Sequence, residues 1–155
     1  MSDSPSQRMT IGDFLLRRLE EAGIRHLFGV PGDFNLELLQ QLDDAGRLKW
    51  IGTCSELNAS YAADGYARLT GIGALTVTNA VGALSALNGI AGAYAEHVPV
   101  ILIAGSIPLR SIERGLGMHH TTGDGTWNRF LGAFAQVTAG EARLTPGTRS
   151  WRSTG

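Results

Sequence analysis

Val98-Pro99-Val100-Ile101-Leu102-Ile103-Ala104 is an unbroken apolar run without a single charge. Alternation would mark a strand with one wet face. A continuous run of this length instead predicts a strand buried on both faces, the kind found in parallel sheets. Before it, Gly82 to Glu96 reads as a helix of small residues, and Ala74-Leu75-Thr76-Val77-Thr78 as a strand. Further back, Glu56 to Leu69 is an Ala-rich helix ended by Gly71, and Leu48 to Thr53 is a strand. Leu38, Leu39 and Leu42 give the stripe of a helix from Leu36 to Ala45, with Gly46 as its stop. Arg25 to Val30 is a strand broken by Pro31-Gly32. The first helix starts at Thr10, with Asp13 at its positive dipole end, carries Ile11, Phe14, Leu15 and Leu19 at helical spacing, and stops at Gly23.

Strand-helix alternation at this spacing predicts crossover units, hence an α/β doubly wound, mostly parallel sheet with helices on both faces. The pattern weakens after Gly105. Ser106 to Thr122 reads as a long loop carrying His119 and His120, and Phe134 to Ala139 as one more strand. Residues 1–9 are expected to be disordered, 10–145 to form the domain, and 146–155 to be an irregular tail. A doubly wound sheet would continue with a further helix there, so the domain reads as truncated.

Composition narrows the function. Of 155 residues, 43% are apolar and 17% charged, which is globular rather than disordered. Thirteen Lys and Arg against fourteen Asp and Glu leave a net charge of −1, no electrostatic footprint for nucleic acid or an anionic membrane. No apolar run reaches the roughly 20 residues of a membrane span, and Met1 to Arg8 has no apolar leader core. A cytoplasmic protein is the expectation. Cys54 is the single cysteine, which excludes an internal disulfide and any Cys-rich metal site. It reads as a small buried hydrophobe, and Trp50 and Phe28 as core.

Ligands of open parallel sheets bind beyond the carboxyl ends of the strands. Asp33, Glu56 and the His119-His120 pair all fall after predicted strands and would meet on that edge. Glu56 is either a first-turn acid favoured by the helix dipole or a part-buried carboxyl with a raised pKa, able to exchange a proton near neutrality. Asp33 is most simply the N-cap of the second helix. The two histidines are either inert loop residues or acid/base groups. Gly71-Ile72-Gly73-Ala74 follows a helix and precedes a strand, the reverse of a dinucleotide fingerprint, so it is a turn. Gly123-Asp124-Gly125 looks like the start of a thiamine diphosphate-magnesium motif but lacks the preceding apolar strand and downstream asparagine. Asp124 is read as a loop or cap residue.

Several segments together carry a family resemblance: Phe28-Gly29-Val30-Pro31-Gly32-Asp33-Phe34-Asn35-Leu36, Glu56-Leu57-Asn58-Ala59, Tyr61 to Arg68, Val81 to Gly89, Tyr94 to Val100, and His119-His120-Thr121. From about Thr10 to Thr145 the chain resembles the N-terminal pyrimidine-binding domain of thiamine-diphosphate-dependent 2-oxo acid decarboxylases, the pyruvate and indolepyruvate/phenylpyruvate group. The resemblance implies a thiamine diphosphate-binding fold, a 2-oxo acid substrate converted to aldehyde and CO2, and a homo-oligomer, dimer or tetramer. Glu56 is implied to hydrogen-bond N1′ of the aminopyrimidine. Pro31 and Val81 would pack around that ring, and Asp33, His119 and His120 would orient substrate and relay protons. The Mg2+ ligands are implied to lie in a C-terminal domain that this chain lacks, with no metal ligand in the chain itself. A fragment of this kind is expected to be inactive alone. The readings that compete with it are a stand-alone flavodoxin-like module binding a small ligand, and a non-functional remnant.

Overall fold

The computed structural model describes residues 9–127, 129–145 and the backbone of 152–153. Four parallel strands, β1 (His26–Gly29), β2 (Lys49–Gly52), β3 (Gly73–Val77) and β4 (Val100–Ala104), form one sheet in the order β2-β1-β3-β4. Helix α1 (Ile11–Glu21) precedes β1, and the crossovers are α2 (Leu36–Ala45), α3 (Glu56–Thr70) and α4 (Val81–Ala95). Two short helices follow, α5 (Leu109–Glu113) and α6 (Arg129–Phe134), then an antiparallel pair of β5 (Gly140–Glu141) with β6 (Arg152–Ser153).

Helices cover both faces of the sheet, as the alternation predicts. On one side Leu16 and Leu19 of α1 and Leu42 of α2 bury against Ile24, Leu27, Leu48 and Ala74. On the other, Ala59 and Ala63 of α3 and Ala83, Ala86 and Ile90 of α4 pack on Leu75, Val77 and Phe134. Small side chains let α3 and α4 approach closely: a Cβ on Gly89 would come within 2.7 Å of the Cβ of Ser60. At their far ends Arg68 ties the helices together by pairing with Asp64 and, at 2.7 Å, with Glu96.

Local signals set the ends. Thr10 and Asp13 form a reciprocal capping box at α1, and Gly46 and Gly71 close α2 and α3 in the left-handed conformation.

Four expectations need correction. The strand buried on both faces is β3, whose five residues are all buried. β4 is half-buried because, among the described residues, it pairs only with β3. The strand expected at Phe134 to Ala139 is instead the end of α6 and a turn. Phe130, Leu131 and Phe134 recur at helical spacing, and Phe134 reaches the α3–α4 core. The Ser106–Thr122 loop contains α5. Residues 1–8 and most of the tail lie outside the described residues, but Arg152 and Ser153 pair with β5 rather than standing apart as a frayed end.

Candidate functional site

The chain runs from β1 outward to β2, then returns to β3 and continues to β4, so the strand order switches direction between β1 and β3. Beyond their carboxyl ends two connections diverge and leave a crevice, the place where such sheets bind ligands. Its walls are the turn after β1, Val30 to Asn35, and the turn after β3, Thr78 to Val81.

The first turn is built around Asn35. This buried side chain accepts from the Gly32 N–H at 2.8 Å and donates to the Val30 carbonyl at 3.1 Å. Asn35 is also the N-cap position of α2, although its side chain makes no cap bond. The N-cap expected at Asp33 is therefore wrong. Asn35 folds the turn back on itself, and Asp33 is left exposed at its apex.

From there the Asp33 carboxylate reaches Nε2 of His119 at 3.2 Å. The Phe34 ring stacks on the same imidazole, with centroids 5.0 Å apart and planes 28° apart. His120 completes the cluster, edge-on to His119 at 4.8 Å. Its backbone has φ +59°, and its carbonyl accepts from the Asn79 side-chain amide at 3.4 Å. The structure thus unites three of the expected residues, Asp33, His119 and His120. Phe34, Asn35 and Asn79 were missed. The signal for Asn35 was its place two residues after Pro31-Gly32-Asp33 begins to turn, where Asn commonly bonds backbone; stacking by Phe34 leaves no trace in sequence.

Glu56 sits apart from that cluster, in the first turn of α3. Ser55 caps the helix, its hydroxyl accepting from the Asn58 N–H at 3.2 Å. The carboxylate is half-buried, free of hydrogen bonds among the described residues, and directed toward the start of α4. A Cβ on Gly82 would lie 3.2 Å from its Oε1 and 2.6 Å from Cγ2 of Thr78. Thr78 packs equally against Gly32, where a Cβ would come within 2.7 Å of its own Cβ. Thr78 therefore joins the two walls, and its buried hydroxyl is without a partner.

Next to it, Ala80 holds φ +47° and ψ −89° while the Gly82 N–H closes the turn on the Asn79 carbonyl at 3.2 Å. That conformation, normally glycine's, turns Val81 outward, where it is 45% exposed. Pro31 is exposed on the opposite wall.

Cys54 is exposed rather than buried, because it lies past the end of β2 in the turn before Ser55. Asp124 is a loop residue, as expected: the Thr122 hydroxyl and the Thr126 N–H bond its carboxylate and hold it below the usual carboxylate range. Trp50 and Phe28 pack against the cores. An apolar groove of about 290 Å³ between Met9, Ile11, Phe14 and Leu144 contains none of the candidate groups.

Residues 9–126 match the family model described as thiamine pyrophosphate enzyme, N-terminal TPP binding domain. The chain is 48% identical over 139 residues, 90% of its length, to an alpha-keto-acid decarboxylase of Mycobacterium leprae, of which it covers 24%. A protein of Schizosaccharomyces pombe provisionally named pyruvate decarboxylase is 47% identical over 131 residues, 83% of the chain and 23% of that protein. An alpha-keto-acid decarboxylase of Mycobacterium avium is 48% identical, with 90% of the chain and 25% of that protein covered. The chain thus spans about a quarter of the length of the curated relatives it matches.

Proposed function

This chain belongs to the thiamine pyrophosphate enzymes, as their N-terminal TPP binding domain, and we propose that it serves as the pyrimidine-holding part of a decarboxylase that converts a 2-oxo acid to an aldehyde and CO2. The observation that carries this reading is the unpaired Glu56 carboxylate beside Gly82, on the same sheet edge as the Asp33–His119–His120 cluster.

When bound, thiamine diphosphate supplies the electron sink that lets a 2-oxo acid lose CO2. The chain's own residues do the rest. Glu56 exchanges a proton with N1′ of the aminopyrimidine, a role supported by its being half-buried without a competing partner among the described residues. Val81 and Pro31 cover the ring and exclude water from that exchange. On the substrate side, Asp33 holds His119 by Nε2, and His120 stands edge-on beside it. This trio orients the substrate carboxylate and returns a proton to the product carbon. Acid/base groups of this kind contribute roughly 10²–10⁴-fold to rate.

Mg2+ belongs to the diphosphate end and is assigned to residues other than those described; among the latter no group of three or more His, Cys, Asp and Glu is placed to hold a metal ion. Leu57 and Tyr61 of α3 and Leu84 and Tyr94 of α4 are exposed apolar side chains. They support burial of this face in a homo-oligomer, a dimer or tetramer. No helix among the described residues is long and apolar enough to cross a membrane. A cytoplasmic location belongs to the same reading, in keeping with a small anionic substrate.

A chimera tests the proposal. Residues 9–126 replace the matching segment of the Mycobacterium leprae relative, and CO2 release from pyruvate and phenylpyruvate is followed. Turnover that Glu56→Gln abolishes supports the reading. A chimera that folds and binds thiamine diphosphate with Mg2+ but decarboxylates neither acid refutes it.

A further inference from the structure

We infer that Phe34 is the positioning residue of the imidazole pair, a flat platform that fixes the plane of His119 so that Asp33 can hold its Nε2. His119 and His120 lie in a stretch without helix or strand, and the His119 side chain is 52% exposed. An ion pair this exposed is weak and does not fix a ring. The stack adds the missing restraint: Phe34 stacks on His119 at 5.0 Å with the planes 28° apart and meets His120 edge-on at 6.4 Å, while the imidazoles cross at 78°.

The platform is itself anchored to the sheet. The Phe34 carbonyl lies so close over Gly105, just past β4, that any side chain there would collide with it, and a Cβ at that position would also come within 3.1 Å of the Asn35 nitrogen. Asn35 locks the same turn from inside. A rigid aromatic face is thereby presented to a loop that lacks regular structure. With the Phe34 ring stacked on His119 and Nε2 taken by Asp33, Nδ1 remains for a reacting group. The titratable groups facing His119 are Asp33 and His120; Asn79, from the turn after β3, meets the same loop without charge. The role in proton transfer rests on the proposed decarboxylase reading, whereas the stack stands without it.

Histidine NMR of the 155-residue chain, free of cofactor and substrate, tests the stack. In the unsubstituted chain the ring protons of His119 are expected upfield of those of His97, under the Phe34 ring current. Asp33→Asn is expected to move the His119 ring signals, and by less than half as much when combined with Phe34→Leu, since the pair would no longer be held together. Phe34→Tyr keeps the ring and is expected to keep the full effect. The signals of His26 and His97 report that each variant is folded. Ordinary His119 shifts in the unsubstituted chain overturn the inference even if no variant folds, and so does an Asp33→Asn effect unchanged by Phe34→Leu. Neither result bears on the chimera, whose failure would instead remove the decarboxylase reading.

Discussion

The Asp33 carboxylate lies 3.2 Å from Nε2 of His119, a contact between the turn after β1 and a loop that the chain reaches only after three more strands. Only the sheet can arrange this. Its order, with β1 beside β3, sets the turn after β1 against the segment that follows β4, and brings Glu56 to the same edge at the tip of β2. Two carboxylates and two imidazoles thus lie along one edge of the sheet.

Glu56→Gln in the chimera is expected to reduce turnover by roughly 10²–10⁴-fold, the span of a lost acid/base group. The helix should survive, because Ser55 still caps it. Steady-state CO2 release alongside circular dichroism checks this. Turnover within a factor of two of the parent would exclude Glu56 from the chemistry.

Ala80→Gly is expected to stabilise the chain. A non-glycine residue held in a sparsely populated backbone region costs about 1–3 kcal/mol, and Ala80 holds φ +47° with ψ −89°. Glycine removes that strain but loses about 0.5–1 kcal/mol through the freedom of the unfolded chain. A net gain of about 0.5–2 kcal/mol should appear as a higher urea midpoint with unchanged slope.

Gly89→Ala should do the opposite. Its Cβ would run into the Ser60 side chain at the closest approach of α3 and α4, within 2.7 Å of Cβ. Overpacking of this kind costs about 1–3 kcal/mol, and each kcal/mol lowers the melting temperature by roughly 2–4 °C in a domain of this size. Thermal unfolding measures it.

Acid stability should depend on Asp13. The Thr10 hydroxyl, and after it the Thr10 N–H, bond its carboxylate and hold it below the usual range. A carboxylate depressed in the folded state contributes stability above its unfolded pKa and loses it as pH falls through the folded value. Asp13→Asn should therefore narrow the stability difference between pH 5 and pH 2, read from denaturant midpoints at each pH. An unchanged difference would remove the capping box as its source.

The fold was largely legible because its signals are local. The stripe of Leu38, Leu39 and Leu42 followed by Gly46 marks both ends of α2, and Thr10 with Asp13 marks the start of α1. Burial was less legible. Val100 to Ala104 and Gly73 to Val77 are both apolar runs, and only the strand order decides that β3 is the one enclosed on both faces. Phe134 misled because an isolated aromatic with β-branched neighbours at Val137 and Thr138 suits a strand, whereas packing on the α3–α4 core makes it the end of a helix. Within the site, residue types identified Asp33, Glu56, His119 and His120 as candidates. Of the supports of the cluster, Phe34 and Asn79 act through contacts across distant segments that spacing does not encode, whereas Asn35 bonds within its own turn.

The central claim is that Glu56 and its neighbours receive an aminopyrimidine, and amide NMR of the chain titrated with 4-amino-5-hydroxymethyl-2-methylpyrimidine tests it most directly. Shifts concentrated at Glu56, Val81, Gly82 and Gly32, and lost in Glu56→Gln, are the expected result. Saturating shifts elsewhere on the molecule, shifts that Glu56→Gln leaves intact, or no shifts at all would contradict it.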